Sequence, residues 1–560
     1  MSPRFLAHGV LWRASGILKA RLFSIVGAIS GLISKITSRR FSLRFPDRRP
    51  GVRSVRRILV PFGVGCLVSS LLDAQDVSSF EKRITVKTLN NGLTVLICER
   101  PEAPVFSFFT HVDVGSVQEV PGITGLAHMF EHMAFKGTDR IGTTDYEKER
   151  AALERVEKAY QVYDTTRRSA GRDEGQVKEL EQAWKDAIGE ADSFVVRNEF
   201  GEIIEREGGV GLNAFTSNDE TGYFYSLPAN RVELWAWLES ERFLKPVLRE
   251  FYKERDVVFE ERRLRTDSQP EGRLFEQFLA AAFIAHPYQR PVVGWASDLT
   301  TFSASDATEF YKKYYVPSNM VVAIVGGVKA GEVFPIVERY FGRLPRGPKP
   351  EPTRTIEPPQ NAERMVILRE EAQPYYCEGY HRPDSHDADH AVYNAIADVL
   401  SKGRTSRLYR SLVRDKKIAV FAGGFNEFPG DKYPHLFVFW TVPSAGHTPQ
   451  EVSQALHTEL ERIKDEDVSD EELQIVKTRA KADLIRRLAS NQGLALQLGS
   501  AQARFGDWRE VFRQVERIDK VTKADVRRAA NKTFLAANRT VGMIESTKLA
   551  ATGAEGAKRP

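Results

Sequence analysis

The sequence predicts an α+β fold built from two homologous domains. Strand-like segments precede amphipathic helices in both halves of the chain, the order expected of layered α+β structures. Residues 303–328 and 522–547 align without a gap at an offset of 219 residues, a self-similarity that indicates a duplication. The matched pairs include Asp306 with Asp525, Lys313 with Lys532 and Asn319 with Asn538. The length of 560 residues also exceeds what one hydrophobic core usually supports.

A proline-rich stretch, residues 343–360, separates the two copies and has the composition of a linker. We therefore place a first domain at residues 83–342 and a second domain at residues 361–546. Residues 547–560 are expected to form a disordered tail.

Residues 1–80 form a basic leader. Its first 57 residues contain 13 Lys and Arg against one acid, a composition typical of a transit peptide or a membrane-surface segment. The mostly apolar run at 58–72 is too short for a spanning helix and resembles the hydrophobic part of a secretory signal, with Ala74 as the last residue before cleavage. We expect export to a bacterial periplasm or envelope. Mitochondrial import and an uncleaved membrane anchor are the alternatives.

Charge and cysteine usage exclude two classes of protein. The first 57 residues carry a net charge of +12 and the whole chain +5, so the remaining residues carry −7. A mildly acidic body without a basic stripe argues against nucleic-acid binding. The three cysteines form no C-x-x-C pair, so neither a disulfide framework nor a thiolate zinc site is expected. Cys98 lies in an apolar run and is assigned to the core.

The first domain begins with strands and continues into a helix. Asn91-Gly92 lies between two runs of alternating residues, the pattern of a β-hairpin, and residues 105–116 form a further strand. Residues 122–138 carry apolar side chains at helical spacing, and Thr124 is the candidate N-cap. The apolar stripe consists of Leu126, Met129, Phe130 and Met133.

The polar face of this helix carries the candidate chemistry. His128 and His132 stand one helical turn apart, so that two imidazoles can converge on one metal ion. Glu131 points the same way and is placed to take a proton from a metal-activated water. The pattern H-x-x-E-H is the mirror of the H-E-x-x-H found in zinc proteases.

Two further segments follow in the first domain. Residues 144–198 are polar and helical with a break at Gly171, so they predict two antiparallel helices. A solvated spacer and a docking or gating element are the two interpretations of that pair. Residues 208–227 combine glycines with two β-prone runs and predict a hairpin whose strands line the cleft.

A third metal ligand is expected from the helix predicted at 247–264, which Pro246 opens. Glu254 and Glu261 lie two turns apart and share one face of that helix. Glu260 is a rival that points about 100° away from Glu261. Two histidines, one glutamate and an open water position make a catalytic zinc set.

Four segments together resemble the pitrilysin/insulinase family of inverted zincins, which includes the mitochondrial processing peptidase. In chain order they are GLAHMFEHMAFKGT, GLNAFTSNDETGYFYSLP, KERDVVFEE and SKGRTSRLYRSLVRDKK. The resemblance covers about residues 83–546. It implies two αβ-roll domains, with antiparallel sheets flanked by helices, that form half of a clam-shell chamber. It also implies a zinc metalloendopeptidase that hydrolyses peptides or unfolded segments with one Zn²⁺ per chain.

The resemblance assigns roles to individual residues. It implies three zinc ligands, which are His128, His132 and Glu261. Glu131 becomes the general base, and Glu254 matches an auxiliary acid of the catalytic face. Asn213 and Ala214 match an edge segment that pairs with extended substrate backbone, with plain turn chemistry as the alternative.

Two departures from the family pattern bear on assembly. The distal glutamate lies farther from the second histidine than usual, because the polar segment 144–198 intervenes. Related proteins place an Arg and a Tyr in the second half, where they reach the substrate carbonyl. Here Arg414 is the substrate-binding candidate, but Val420 or Phe421 stands at the tyrosine position. The resemblance implies a homodimer, or a heterodimer with a related subunit, in which each chain supplies half of the chamber.

Two other functions stay open at this point. A non-catalytic scaffold or partner subunit of the same fold is expected to lose the His/Glu set, which is intact here. A presequence-processing peptidase in an organelle is compatible with the basic leader. The second domain has no H-x-x-E-H, and its HDADH cluster at 386–390 is assigned to a helix N-terminus rather than to a metal.

Overall fold

The computed structural model describes residues 77–547. The leader before residue 77 and the tail after residue 547 lie outside that range, so the expectations for them stay predictions. Within the described range, no helix combines the length and the apolar composition that a membrane span requires. The chain forms two sheets with helices packed on them, which confirms the predicted α+β fold.

The first sheet has six strands. They are β1 (Ile84–Thr88), β2 (Thr94–Glu99), β3 (Val105–Val112), β4 (Val210–Thr216), β5 (Thr221–Pro228) and β6 (Met320–Gly326). Their order across the sheet is β1-β2-β6-β3-β5-β4, and all neighbours are antiparallel except β2 and β6. The parallel pair is the one exception in a mainly antiparallel sheet, the kind of sheet that the resemblance implied. It arises because β6 follows a long helical stretch, so no hairpin forces it to run against β2.

The second sheet repeats this topology. Its strands are β7 (Arg364–Glu370), β8 (Tyr375–Arg382), β9 (Ala419–Phe428), β10 (His435–Pro443) and β11 (Arg539–Ser546). Their order is β7-β11-β8-β10-β9, and only β7 and β11 run parallel. Across the second sheet, the strands β7, β11, β8, β10 and β9 therefore correspond in order to β2, β6, β3, β5 and β4 of the first sheet. A duplication predicts this correspondence.

Helices cover both sheets. Those of the first half are α1 (Val77–Glu81), α2 (Leu126–Met133), α3 (Tyr146–Arg168), α4 (Glu174–Asp192), α5 (Glu199–Arg206), α6 (Val232–Leu244), α7 (Phe251–Arg262), α8 (Pro270–Ala282), α9 (Ala296–Leu299), α10 (Ala304–Tyr314) and α11 (Ala330–Phe341). Those of the second half are α12 (His390–Ser401), α13 (Pro449–Asp465), α14 (Asp470–Leu488), α15 (Asn491–Phe505), α16 (Glu510–Lys520) and α17 (Lys523–Thr533).

The residues matched by the sequence repeat perform the same task in each copy. Asp306 and Asp525 both complete a capping box at the start of α10 and α17. Asn319 donates its side-chain amide to the carbonyls of Asp113 and Tyr314, and Asn538 donates to the corresponding carbonyls of His381 and Thr533. The repeat therefore preserves the contacts that join α10 to β6 in the first half and α17 to β11 in the second half.

Each half covers a sheet face of the other half. Helix α15 lies on β3 and β6, where Gly499 lets the helix backbone approach Phe109 and Ala323. Helix α8 lies on β7 and β11, where Leu274 and Phe278 pack against the backbone of Gly542. One apolar face of each sheet is thus covered by a helix from the other half of the chain, so the two halves form one body.

The polar segment 144–198 folds as the two antiparallel helices expected, α3 and α4, with the break near Gly171 at φ +73°. Its inner face is buried, so the spacer interpretation holds only for its outer face. Tyr160 is 1% exposed, and its ring centroid lies 4.4 Å from that of Tyr252 on α7. Trp184 packs edge-on against the same tyrosine at 5.2 Å. The segment therefore braces the helix that carries the distal glutamates.

Arg249 joins this segment to the loop that follows α2. Its guanidinium donates to both carboxylate oxygens of Glu149 on α3, at 2.7 and 2.9 Å. It also donates to the carbonyls of Lys136, Ile141 and Thr138, at 2.6, 2.7 and 2.7 Å. The side chains of Arg249 and Glu149 are 1% and 0% exposed, so the ion pair is desolvated.

We expect Arg249→Met to lower the free energy of unfolding by about 3–5 kcal/mol, because it leaves the Glu149 carboxylate buried without its cation. Urea unfolding followed by tryptophan fluorescence measures the change. The double variant Arg249→Met/Glu149→Leu removes both charges and should regain most of the lost stability. A single variant within about 1 kcal/mol of wild type would show that the pair does not hold the segment in place.

The helix predicted at 247–264 is shorter than expected. Helix α7 begins at Phe251, because Glu250 at φ +55° interrupts the helical path, and Pro246 lies outside it. The helix ends at Arg262, where the π-helical turn Arg263–Asp267 takes over. Glu254 and Glu261 both fall inside α7, so the prediction that they share one face is unaffected.

Candidate metal centre

The first turn of helix α2 is capped by a carboxylate from outside the helix. Glu119 accepts hydrogen bonds from the backbone N–H groups of Gly125 and Ala127, at 2.9 and 2.8 Å. Thr124, the predicted N-cap, instead donates its hydroxyl to Asp298 at 2.7 Å. That prediction is wrong because Gly125, at φ +97°, occupies the cap position.

The predicted apolar stripe of α2 is confirmed as its buried face. Leu126 and Met129 are fully buried, and Phe130 and Met133 are 3% and 4% exposed. The ring of Phe130 packs against Tyr315 at a centroid distance of 5.4 Å. Because this side is fixed in the core, the histidines on the opposite side are held with little freedom.

The structure brings His128, His132 and Glu261 together. The Nε2 atoms of both histidines lie 3.6 Å from Oε2 of Glu261. The two imidazole rings are nearly perpendicular, with centroids 4.9 Å apart. One donor atom from each residue falls within 4.8 Å of the others, and no second group of this kind occurs in residues 77–547.

These separations fit zinc. A tetrahedral zinc ion with bonds of about 2.0–2.1 Å separates its ligand atoms by about 3.3 Å. The two 3.6 Å distances are within a few tenths of an ångström of that value. Two imidazole nitrogens and one carboxylate oxygen are also a donor set that catalytic zinc uses, with one position left for water. We therefore infer that these three residues can hold one zinc ion.

Glu131 and Glu260 differ in their position relative to the donor set. Glu131 lies beside the donor set, with its Oε2 4.0 Å from Nε2 of His128. Its side chain is 14% exposed, so it faces a nearly closed site. Glu260, the rival ligand, is half-exposed and pairs with Arg263 at 3.2 Å. Glu260 is therefore not among the donor atoms, as its angular position on the helix predicted.

Glu254 contacts a metal-ligand candidate, His132, but is not itself one of the three donor residues. Its Oε1 lies 3.5 Å from Nδ1 of His132, the ring nitrogen that faces away from Glu261. Its Oε2 forms an ion pair with Lys136 at 2.9 Å. A carboxylate on the outer nitrogen orients a ligating histidine and raises its basicity. The geometry therefore places Glu254 next to His132 and outside the set of ligand atoms, and its role as an auxiliary acid of the catalytic face stays a prediction.

The charges of the site shift the pKa values of its members. Burial lowers the pKa of His132, but the carboxylates of Glu254 and Glu261 outweigh burial and raise that pKa to about 9. Burial raises the pKa of Glu254, but His132 and Lys136 outweigh it and lower that pKa to about 2. Burial likewise raises the pKa of Glu261, but His132, His128 and Arg265 hold it far below its ordinary value. A metal ion that bound to this set would have to displace a proton from His132.

The candidate substrate strand lies at an edge. Strand β4 contains Asn213 and Ala214, which pair with Phe224 and Tyr223 of β5. Its other side pairs with no strand of the described chain, and β4 contacts helix α2. The predicted hairpin is thus present, and its edge strand contacts the helix that carries His128 and His132. An edge strand in this position can accept an extended peptide.

Arg414 lies in the second half, on the π-helical turn Tyr409–Asp415. Its guanidinium pairs with the carboxylate of the adjacent Asp415 at 2.6 Å and is 54% exposed. No hydrogen bond or ion pair described for residues 77–547 joins it to the donor set. Val420 and Phe421, the two candidates for the tyrosine position, are the second and third residues of β9, and Val420 is 58% exposed.

The HDADH cluster of the second half lies at a helix N-terminus, as expected. His390 is the first residue of α12, and Asp389 is its N-cap. His390 is buried, with its Nε2 3.5 Å from Glu427. Asp389 pairs with Arg528 at 2.6 Å. These contacts give His390 and Asp389 partners within the fold.

Sequence reasoning missed two basic residues at the site. Lys136 joins Glu254 and Glu250, at 2.9 and 3.1 Å, and so connects the end of α2 to the start of α7. Arg265 pairs with Glu261. Each stands four residues after a ligand, His132 or Glu261. For Arg265, the i, i+4 rule for side chains on one helical face could have identified the pairing with Glu261. Lys136 lies beyond the end of α2 and pairs with a distant segment, so no local signal identifies it.

Comparison with known families assigns a class to this fold and site. A family model described as Insulinase (Peptidase family M16) matches residues 94–190 and 195–295. A second model, described as the Peptidase M16 inactive domain, matches residues 301–480. The chain therefore belongs to peptidase family M16, which confirms the resemblance to the pitrilysin/insulinase family. The inactive-domain match agrees with a second half that brings together no metal-binding set.

Individual relatives are similar in sequence over most of this chain. The zinc protease PqqE of Helicobacter pylori is 29% identical over 453 residues, covering 79% of this chain and 88% of the relative. The uncharacterized zinc protease YmxG of Bacillus subtilis is 21% identical over 452 residues, covering 80% and 95%.

Solved structures agree with this assignment. A protease from Helicobacter pylori aligns with a TM-score of 0.69 at 26% identity, covering 82% of this chain and 99% of that structure. An M16 inactive domain from Pseudomonas fluorescens aligns with a TM-score of 0.66 at 16% identity, covering 83% and 98%. The second similarity, at such low identity, shows the fold alone.

Proposed function

We propose that the protein is a zinc-dependent metalloendopeptidase. The observation that carries this proposal is the donor set of His128, His132 and Glu261, whose ligand atoms meet within 4.8 Å. The Oε2 atom of Glu131 lies 4.0 Å from Nε2 of His128, which supports a role for Glu131 as the general base. Relatives named zinc proteases support the same metal and the same class of reaction.

A zinc ion held by the three ligands would supply a Lewis acid for the scissile carbonyl and acidify an attacking water. Glu131 would accept the proton of that water and deliver it to the leaving amine. Glu254 orients His132, and the apolar face of α2 holds the histidine pair in place. The chain thus contributes the ligands, the base and their orientation.

The substrate class is a peptide or an unfolded segment. An extended peptide could add to the free edge of β4 at Asn213 and Ala214, where backbone groups supply the hydrogen bonds. That mode reads backbone rather than side chains, and it requires a segment that is not already folded. The position of β4 against α2 would bring such a segment towards the donor set.

A second chain is proposed to complete the chamber, either another copy or a related subunit. Arg414 is exposed and makes no described contact with the donor set of its own chain. Light scattering measures the assembly. Mixing Glu131→Gln chains with Arg414→Ala chains tests whether sites are shared between subunits. Activity above that of either variant alone supports a shared site, and activity equal to their mean contradicts it.

Export to the periplasm or envelope is proposed from the leader. One neighbouring structure, aligned with a TM-score of 0.63 at 18% identity, is named the periplasmic protease PqqL of Escherichia coli. N-terminal sequencing of the mature chain tests the proposal. A start just after Ala74 supports secretion, whereas an intact leader in a membrane fraction supports an anchor and a mitochondrial fraction supports import.

The central test is peptide hydrolysis by the purified protein with and without a chelator. We expect about one zinc per chain, cleavage of an unfolded protein or a quenched fluorescent peptide, loss of cleavage with chelator, and recovery when zinc is returned. A metal-free protein without activity would instead support the scaffold alternative. Full activity in the presence of chelator, with zinc removed, would exclude the metal mechanism.

A further inference from the structure

The two carboxylate oxygens of Glu261 have different partners. Oε2 faces both imidazoles, with 3.6 Å to each Nε2. Oε1 is turned away from them and forms an ion pair with Nη1 of Arg265. A carboxylate that is free to rotate can offer either oxygen, or both, to a metal. Here the arginine occupies one oxygen and leaves the other for the metal position.

The backbone of Arg265 is fixed. It lies in the π-helical turn Arg263–Asp267, a feature often found at functional sites. The turn packs against α8 at Gly272, where an added Cβ would stand 2.4 Å from the carbonyl oxygen of Arg265. Next to it, Arg262 is tied to Glu276 at 2.7 Å. The guanidinium therefore extends from an anchored point, although its own tip is 45% exposed.

Arg263 provides a comparison on the same turn. It has the same side chain and is 63% exposed, but it pairs with Glu260 at 3.2 Å. Glu260 points away from the donor set. The two arginines thus make similar ion pairs with adjacent glutamates, and only one of those glutamates faces the imidazoles. An effect confined to Arg265 would come from its ligand partner and not from surface charge.

We propose that Arg265 is a positioning residue that holds Glu261 so that one oxygen faces the metal position. This inference rests on the metal site of the proposed function. Outer partners of ligating groups set ligand orientation, and their loss typically weakens metal affinity by about 10–100-fold. Arg265 then contributes to zinc retention without contacting the metal or the reacting atoms.

The test compares three full-length variants, Arg265→Gln, Arg265→Lys and Arg263→Gln. Zinc dissociation constants are measured by competition with a chromogenic chelator, and kcat and KM are measured at saturating zinc. We expect Arg265→Gln to raise the zinc Kd by about 10–100-fold and Arg263→Gln to leave it within about twofold of wild type. Arg265→Lys keeps the positive charge but loses the planar fork, so it should fall between wild type and Arg265→Gln.

Three results would overturn the inference. Wild-type zinc affinity in Arg265→Gln would show that Glu261 needs no such partner. A rise in KM alone, with zinc affinity unchanged, would assign Arg265 to substrate binding. Equal losses in Arg265→Gln and Arg263→Gln would assign the effect to the turn or to surface charge. Because zinc affinity is read without substrate, these results are independent of failure of the proposed function, which appears as zinc-loaded wild type without hydrolysis.

Discussion

Glu131→Gln is expected to keep the zinc ion and lose hydrolysis, with kcat falling by about 10²–10⁴-fold. Glu131 is not among the three donor residues, and its Oε2 lies 4.0 Å from the nearest ligand atom of His128. Glutamine has nearly the same shape but cannot accept the proton of the attacking water. Steady-state kinetics on a peptide substrate measures the loss, and metal analysis of the same sample measures zinc.

Glu260→Gln is the matched control for that experiment. It makes the same chemical change on an exposed side chain that pairs with Arg263 outside the donor set. It should leave both kcat and zinc content near wild type. Zinc lost from Glu131→Gln would mean that Glu131 is a ligand, and full activity in that variant would assign the base to another group.

Glu261→Gln is expected to release zinc. The substitution removes the only anionic ligand atom of the set, which lies 3.6 Å from both imidazole nitrogens. The affinity loss should exceed the roughly 10–100-fold cost of changing an outer partner. Activity then disappears with the metal, in contrast to Glu131→Gln. Equilibrium dialysis against buffered zinc gives the affinity, and activity at rising zinc shows whether excess metal restores catalysis.

Comparing Glu260→Gln with Glu261→Gln controls for the chemical change itself. The two side chains are chemically identical and neighbours in sequence, yet only Glu261 enters the donor set. Glu260→Gln should bind zinc as tightly as wild type. If instead Glu260→Gln released zinc and Glu261→Gln retained it, the proposed metal centre would be wrong.

Helix α2 shows which features of a helix a local sequence pattern can predict and which it cannot. Apolar spacing identified the buried face of α2, and the spacing of His128 and His132 identified the polar face. The cap was misassigned because the true partner of the first turn, Glu119, lies outside the helix. A side chain that reaches the helix end through a loop leaves no periodic trace.

Helix α7 also shows features that a local sequence pattern predicts and features that it does not. The seven-residue spacing placed Glu254 and Glu261 on one face, and the structure agrees. Their different roles depend on which ring nitrogen of His132 each one faces. That choice follows from how α7 packs across α2, braced by α3 and by Arg249. Packing between distant segments involves contacts that no single stretch of sequence contains.

The sequence by itself determined the α+β class, the duplication and the candidate ligands, because helical and strand periodicities are local geometry that the order of residues sets directly. Only the tertiary structure decided that each half covers the other's sheet, that the polar segment braces α7, and that Lys136 pairs with Glu250 and Glu254. Those contacts join residues far apart in the chain. For the ion pairs, the sequence offers several equivalent exposed charges, and only the packing determines which of them pair. Their existence depends on how desolvated surfaces and ion pairs fit together in three dimensions.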